Sequence, residues 1–593
     1  MSKEKLKIGI LINSDNIRNW QMKIIEEIRN STFAEITLVI KNKVSLIDRS
    51  SKFSKFINNK NGIVFQLHLK LDKLILGRDT DYFKTFDSRI LLNDTNQITT
   101  TPVGNGFTNN FKQEDIKEIK NFNLDIILKF GFSVLTGDIL NIPKYGIWSY
   151  ESDNLLKSEP LGYWEVINKG KTTGSILQIL NEDLVRSRVI HSSRMLTNYI
   201  SISKNQNACY WRSATIIPRI IEGIYNHGGS YLLRLEKRNN NLINFHNRLI
   251  NFHNRRFNKT TSSFTTLGNI FKHFWKVSKR LIQKIFFNDH WDVLYKINSD
   301  ETFFPSLKEF KSLPTPADRF WADPFVISKD DKHYIFVEEL LYKTNKGHIA
   351  VLELDNKGNF LGSKKVLERT YHLSYPFLFK CDDTYYMVPE TGENKTIELY
   401  KCSEFPYKWE FVMNLMENIY AADATLFYCN NKWWLFCCMD KTGKNIGMLD
   451  ELYLFFSDNL FTKNWQSHPN NPICTNTRTA RPAGKIFIKN DKIYRPSQDC
   501  SGIYGRGINI NEIIKLSETE YEESVITKII PKDDDELIGT HTFNFDDKIT
   551  VIDGFKYKRR INLNKLFSAN FNFAGLYIAQ TIVSKIDAES LIN

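Results

Sequence analysis

Carboxylates and one guanidinium recur at related places in the C-terminal half of this 593-residue chain. Asp323 precedes a proline in WADPF, Asp423 sits in AADATLF, Arg481 in TARPAG, and Tyr375 holds the matching place in SYPFLF. A second set, Glu338, Glu339, Glu390, Gln498 and Asp499, follows short turns of Asp and Asn. His541 belongs to the run HTFNF before the last of these turns. Convergent carboxylates with arginine and aromatic rings suit a carbohydrate. Sugar hydroxyls bond carboxylate and guanidinium, and sugar faces pack on rings such as Tyr375, Trp321 and Trp434. Asp323, Glu390 and Asp423 are the candidates for base and electrostatic roles. Trp321, Glu339, Tyr375, Arg481, Gln498, Asp499 and His541 are candidates for substrate contacts, with Arg481 aimed at a phosphate or carboxylate. An Asp before Pro also caps turns, and paired glutamates can end a strand in solvent. The functional reading therefore rests on recurrence, not on any one residue.

The elements that must position these residues are visible as a repeat. Turns of the type DDK, DDT, NNK, NDK and DDK begin at 330, 382, 430, 490 and 546, which are 52, 48, 60 and 56 residues apart. Asp and Asn tolerate positive φ and bond their own backbone, so they suit tight hairpins. Apolar runs flank every turn. An all-β period near fifty residues predicts four-stranded blades, and five of them predict a five-bladed β-propeller over 291–560.

Residues 1–230 read differently. KIGILI and AEITLVIKN are strands, NWQMKIIEEIRNS has apolar residues at helical spacing, and IKEIKNFNLDIILKFGF is a helix followed by a strand. Alternation of this kind predicts a mostly parallel, Rossmann-like α/β sheet. No G-x-G-x-x-G or Walker pattern accompanies it. The fold class expected is thus multidomain: an α/β domain over 1–230, a connector over 231–290, the propeller, and a C-terminal extension over 561–593.

The net charge of +13 is concentrated in the connector. Ser230–Asn288 holds twelve Lys and Arg against Glu236 alone, a net +11. It contains the tandem heptad LINFHNR at 242–248 and 249–255, followed by IFKHFWKVSKRLIQKIFF. A basic amphipathic stretch with Trp and Phe fits an anionic membrane surface, here over 233–288. A helical hairpin packed on a domain is the alternative. No nucleic-acid motif accompanies the charge, so no nucleic acid is expected. The eight cysteines show no metal-site spacing and read as free thiols of a reducing compartment, with disulfides as the second reading. The N-terminus reads as a strand and not a signal peptide. A cytoplasmic protein, peripheral on the inner face of the membrane, is the resulting expectation.

Two resemblances bear on these halves. LDIILKFGFSVLTGDILNIPKYGIWSYESDN and EPLGYWEVINKGKTTGSILQILNEDLVRSRVI resemble the formyltransferase superfamily. The catalytic Asn, His and Asp that the resemblance implies fall on Ser149, Glu151 and Val185. A valine accepts no proton, so formyl transfer is not expected; a rebuilt site would use Glu151 and Asp153. RFWADPFV, YHLSYPFLF, YYMVPET, ARPAG and YRPSQDC resemble the propeller domain of plant glucosamine inositolphosphorylceramide transferases. They also resemble bacterial proteins that join this propeller to a formyltransferase-like domain. More distantly, Asp323 and Asp423 are similar to the first- and third-blade aspartates of five-bladed arabinanase/invertase-type glycoside hydrolases. That resemblance implies a base or nucleophile at Asp323 and a tuning role for Asp423. Arg481 stands where the acid would be sought, leaving Glu390 or Glu339 as the substitute.

Three readings stand at this point: a glycosyltransferase-type enzyme of surface polysaccharide or glycolipid synthesis, a glycoside hydrolase, and a non-catalytic glycan-binding or scaffold protein. A sugar or glycan is the expected partner in each. No cofactor or metal is expected, beyond an activated sugar donor for the first reading.

Overall fold

The computed structural model describes residues 3–43, 60–104, 108–152, 162–182, 187–239, 263–298, 306–441, 449–532 and 536–560. The chain divides into two compact units, the first running to Val277 and the second from Ser278.

The first unit is an α/β sheet. Its strands are β1 (Leu6–Ile12), β2 (Ala34–Asn42), β3 (Asn96–Thr100), β4 (Ile126–Lys129), β5 (Ile147–Ser152), β6 (Thr172–Ile179) and β7 (Arg188–Leu196). They lie in the order β7-β6-β5-β4-β1-β2-β3. β1 to β5 pair in parallel, while β6 and β7 run antiparallel at one edge. The helices are α1 (Asn19–Arg29), α2 (Lys60–Ile75), α3 (Gln113–Lys120), α4 (Ile202–His227) and the first part of α5 (Ser263–Phe286). The apolar stripe of α1 (Trp20, Ile24, Ile25, Ile28) and that of α4 (Trp211, Ile217, Ile221, Ile224) share one core with Ile8, Ile10 and Val39 of the sheet. Central strands are near-continuous apolar runs because both faces are covered. The alternation seen in the sequence is thus realised, with α5 beginning inside this unit. The tandem heptad, Asp153 and Val185 lie outside the described residues.

The second unit is a five-bladed β-propeller. Four blades are consecutive meanders, Arg319–Leu367, Ser374–Glu417, Ala421–Ser467 and Phe487–Ile529. The fifth is assembled from both ends of the unit: Phe287–Ile297 pairs along its whole length with Ile549–Arg559, flanked by Lys311–Ser312 and Phe543–Phe545. Only the last repeat therefore departs from a simple count of five like segments. Closing the ring by an eleven-residue ladder removes the free edges that an open stack of blades would expose.

The hairpin turns behave as their residues dictate. Asp330, Asp331, Asp382, Asn430, Asn431, Asn490 and Asp491 all adopt φ between 50° and 59°. The fifth turn differs: Asp546 accepts from the Lys548 and Ile549 amides through its side chain. All eight cysteines are free thiols, and among the described residues no helix is long and apolar enough to cross a membrane.

Candidate functional site at the propeller axis

A repeated defect builds the site. The innermost strands of the first three blades each break register, between Ala322 and Phe325, Ser374 and Phe377, and Ala422 and Thr425. The residue in each bulge is left-handed: Asp323 (φ 52°), Tyr375 (φ 42°) and Asp423 (φ 53°). Such a bulge re-aims one side chain at a cost of about 1–3 kcal/mol, which the surrounding packing must offset. In the fourth blade the corresponding bend is Gly484 (φ 137°), where a Cβ would stand 2.1 Å from the Phe543 carbonyl oxygen. Gly484→Ala is expected to lower stability by about 2–4 kcal/mol, measurable as a shift in the denaturant midpoint.

The second strand of each blade adds another layer. Counting eight residues from the first residue of each turn gives Glu338, Glu390, Cys438 and Gln498. Glu390 Oε2 accepts from the Asp423 amide at 3.3 Å. Gln498 donates to Asp423 Oδ2 at 3.2 Å and to the Pro482 carbonyl at 2.9 Å. Arg481 enters from the loop before the fourth blade. Its Nε bonds Asp423 Oδ2, its Nη2 lies 3.7 Å from Glu390, and its guanidinium sits 5.2 Å from the ring centre of Tyr504.

The fifth blade supplies a buried relay. Asp323 accepts from the Tyr375 amide (3.2 Å) and the Thr542 hydroxyl (2.8 Å), and lies 3.3 Å from His541 Nε2. The other ring nitrogen, Nδ1, stands 2.6 Å from Asp553. Asp553 also accepts from the amides of Asp323, His541 and Thr542. Trp291 lies over the imidazole, with ring centres 4.0 Å apart.

The structure therefore brings Asp323, Glu390, Asp423, Arg481, Gln498 and His541 into one cluster, with Tyr375 fully buried beneath it. It separates others. Side chains alternate along a strand, so Glu338 and Glu339 cannot share a face. Glu338 faces His372 at 3.1 Å. Glu339 is turned away and held by Arg319 (3.0 Å), His348 (2.9 Å) and the Trp321 indole N–H (2.8 Å). Those three partners hold its carboxyl down at about 2 against the opposing pull of burial. Trp321 is completely buried against Phe360, and Trp434 is likewise a core residue. Neither Trp offers a face to a sugar, and Glu339 has no spare acceptor facing the axis. Asp499 caps the Ser501 amide and pairs with Arg506 at 3.3 Å. Arg481, expected to meet a phosphate or carboxylate, spends its charge on Asp423 and Glu390.

Sequence reasoning missed Asp553, Thr542, His372 and Tyr504. The partly exposed groups are Glu390, Arg481, His372, Tyr420 and Tyr504, which mark the open side.

Burial, then the neighbouring carboxylate of Asp423, pushes the Glu390 carboxyl up to about 8 despite Arg481. Asp323 is pushed up to about 7 by burial, against the pull of His541. Burial alone would lower His541, but Asp553 and Asp323 outweigh it and hold the imidazole up at about 9. His372 is raised to about 8, Glu338 overcoming the effect of burial. The cluster thus holds exchangeable protons near neutral pH, which acid–base work requires. Asp323, His541 and Asp553 also place one ligand atom each within 4.8 Å of one another. Two carboxylates and an imidazole could hold a divalent cation. Asp553 and Asp323 also accept from amide and hydroxyl donors.

Residues 309–544 match the family model described as glucosamine inositolphosphorylceramide transferase 1, N-terminal. The chain is similar to the glucosamine inositolphosphorylceramide transferase 1 of Oryza sativa subsp. japonica, 34% identical over 236 residues, which is 38% of this chain and 31% of the relative. It is 31% identical over 207 residues to the protein of that name from Arabidopsis thaliana, 34% of this chain and 27% of the relative. The chain thus spans about a third of the length of the curated relatives it matches. Among solved structures, the Cellvibrio cellulosa α-L-arabinanase complexed with arabinohexaose overlaps 40% of this chain and 91% of its own, at 13% identity and a TM-score of 0.29. The phosphoribosylglycinamide formyltransferase of Anaplasma phagocytophilum overlaps 38% and 88%, at 13% identity and a TM-score of 0.24. The segment matched by the family model takes in Asp323, Glu390, Asp423, Arg481 and His541, but neither Trp291 nor Asp553.

Proposed function

We propose that the propeller mouth binds a neutral sugar and that the chain is a carbohydrate-active enzyme of sugar transfer in surface polysaccharide or glycolipid synthesis. The observation that carries this reading is the charge balance of the cluster. Five carboxylates (Asp323, Glu338, Glu390, Asp423, Asp553) surround three cationic or protonatable groups (Arg481, His372, His541). With Glu390 holding its proton and Asp323 ionised beside the His541 imidazolium, four carboxylates face three cations, so the mouth carries about one net negative charge and is dense in acceptors. It suits hydroxyls and repels the diphosphate of a nucleotide sugar. Glu390 is the proton donor and Asp323 the base, with Asp423 and Arg481 fixing Glu390 between them. The match to the transferase family over 309–544 supports the substrate class.

Glycoside hydrolysis is the second reading, because a protonated Glu390 supplies the acid that Arg481 displaced from its expected place. The first unit performs no formyl transfer on this reading: Ser149 is buried in β5 and paired in register with Gln178, where an imidazole or amide would be needed. A cytoplasmic location at the inner face of the membrane goes with the synthetic role.

Glycan product should disappear in a strain whose only copy carries Asp323→Asn at unchanged protein level. Undiminished product would leave the non-catalytic reading. Glu390→Gln should lower turnover by at least about 100-fold while sugar binding persists. Calorimetric preference for nucleotide diphosphate sugars over neutral glycosides would overturn the neutral-ligand assignment. Reducing sugar released by the purified protein alone would select hydrolysis.

A further inference from the structure

Helix α5 is amphipathic the wrong way round for a simple structural helix. Its inner side is tied into the first unit: His273 Nδ1 meets His68 Nε2 of α2 at 3.0 Å, and His273 Nε2 meets the Ile200 carbonyl at 3.0 Å. His68 in turn contacts the Tyr163 hydroxyl at 3.3 Å, and Lys276 donates to the Ile167 carbonyl at 2.8 Å. Thr266, His273 and Val277 are buried on that side. At 100° per residue, Leu267, Phe271 and Trp275 fall on the opposite side. They are 53%, 74% and 66% exposed. Leu281 and Ile285, in the part of α5 that belongs to the second unit, are also exposed. α2, held to α5 by the histidine pair, leaves Leu67 and Leu74 exposed on its own flank.

The charge on α5 has one sign. Lys272, Lys276, Lys279, Arg280 and Lys284 are its ionic residues, and the helix contains no Asp or Glu. Lys272 and Lys284 are exposed. A solvent-facing row of Leu, Phe and Trp bordered by lysines belongs in the plane of a bilayer interface, rings among the acyl chains and ammonium groups at the headgroups. Two such helices facing each other would oppose like charges, which argues against a second copy as the occupant.

We propose that α5 is an interfacial anchor that docks the chain on an anionic lipid surface through Leu267, Phe271 and Trp275, with the lysines supplying the preference for negative headgroups. The inference does not rest on the sugar reading of the propeller.

The full chain should co-sediment with phosphatidylcholine vesicles containing phosphatidylserine, less so in high salt, and weakly with phosphatidylcholine alone. Phe271→Ser with Trp275→Ser should weaken that binding by at least about tenfold. Both side chains are exposed, so the thermal transition should not move. Lys272→Gln should reduce the preference for phosphatidylserine and leave the residual binding to neutral vesicles in place. Serine-variant binding equal to that of the parent would overturn the proposal, as would absence of parent binding to the anionic vesicles. A parent dimer in light scattering that the serine variant converts to monomer, without vesicle binding in either, would assign the face to a second copy instead.

Discussion

Asp553→Ala is expected to destabilise the propeller by about 3–5 kcal/mol. The carboxylate is fully buried and accepts from the amides of Asp323, His541 and Thr542 while standing 2.6 Å from His541 Nδ1. Removing it orphans three buried N–H groups and an imidazolium at once. Urea unfolding followed by tryptophan fluorescence measures the loss, and a shift of less than about 1 kcal/mol would show that Asp553 does not organise the fifth blade. The same relay gives stability a pH dependence of definite sign. His541 is raised from 6.5 to about 9, so its contribution is complete below pH 6.5 and fades as pH climbs through 9. Glu390 is raised from 4.5 to about 8, so the folded state holds a proton that the unfolded chain has released, and stability again declines between those values. Both groups therefore place the optimum on the acid side of neutrality. Glu390→Gln should flatten the lower part of the decline and leave the upper part unchanged.

Arg481→Met is expected to cost about 3–5 kcal/mol and to abolish sugar binding. The guanidinium is the cation shared by Asp423 and Glu390, and both carboxylates are largely enclosed. Without it, Asp423 is left as a buried charge with no cation beside it, or the loop must open. Arg481→Lys should not rescue the loss. A single ammonium cannot bond Asp423, approach Glu390 and lie over Tyr504 together, as the planar fork does. Calorimetric titration with a neutral glycoside, set beside the unfolding midpoint, separates lost binding from lost folding. Binding retained in the Met variant would mean that the carboxylates need no fixed partner.

How much of this was legible in the chain depends on where each contact originates. The turns were legible because Asp and Asn impose the left-handed backbone themselves. The convergence of Asp323, Tyr375 and Asp423 followed, since each lies seven residues before its turn. Strand parity is legible too: counting in twos from Asp330 turns Glu338 toward the axis and Glu339 away, and the same count buries Trp321 beside Glu339. Asp553 escaped because the fifth turn is closed by the Asp546 side chain and lacks the positive φ of the others, which shifts the count by one. His372, Tyr504 and Arg481's bond to Asp423 depend on loop paths that no periodicity encodes. In the α/β unit the alternation of strand and helix was enough to give a parallel sheet, whereas the outward-facing side of α5 required knowing which side His273 occupies.

The join in the fifth blade has a consequence for biosynthesis. Trp291 is made early and Asp553 late, and the His541 imidazole needs both, one above and one beside it. While the last strand is still within the ribosome, the nascent propeller is an open stack whose pocket lacks a wall. The walled pocket should therefore arise abruptly during synthesis, at the moment residues near 559 emerge and zip onto the strand begun at Phe287.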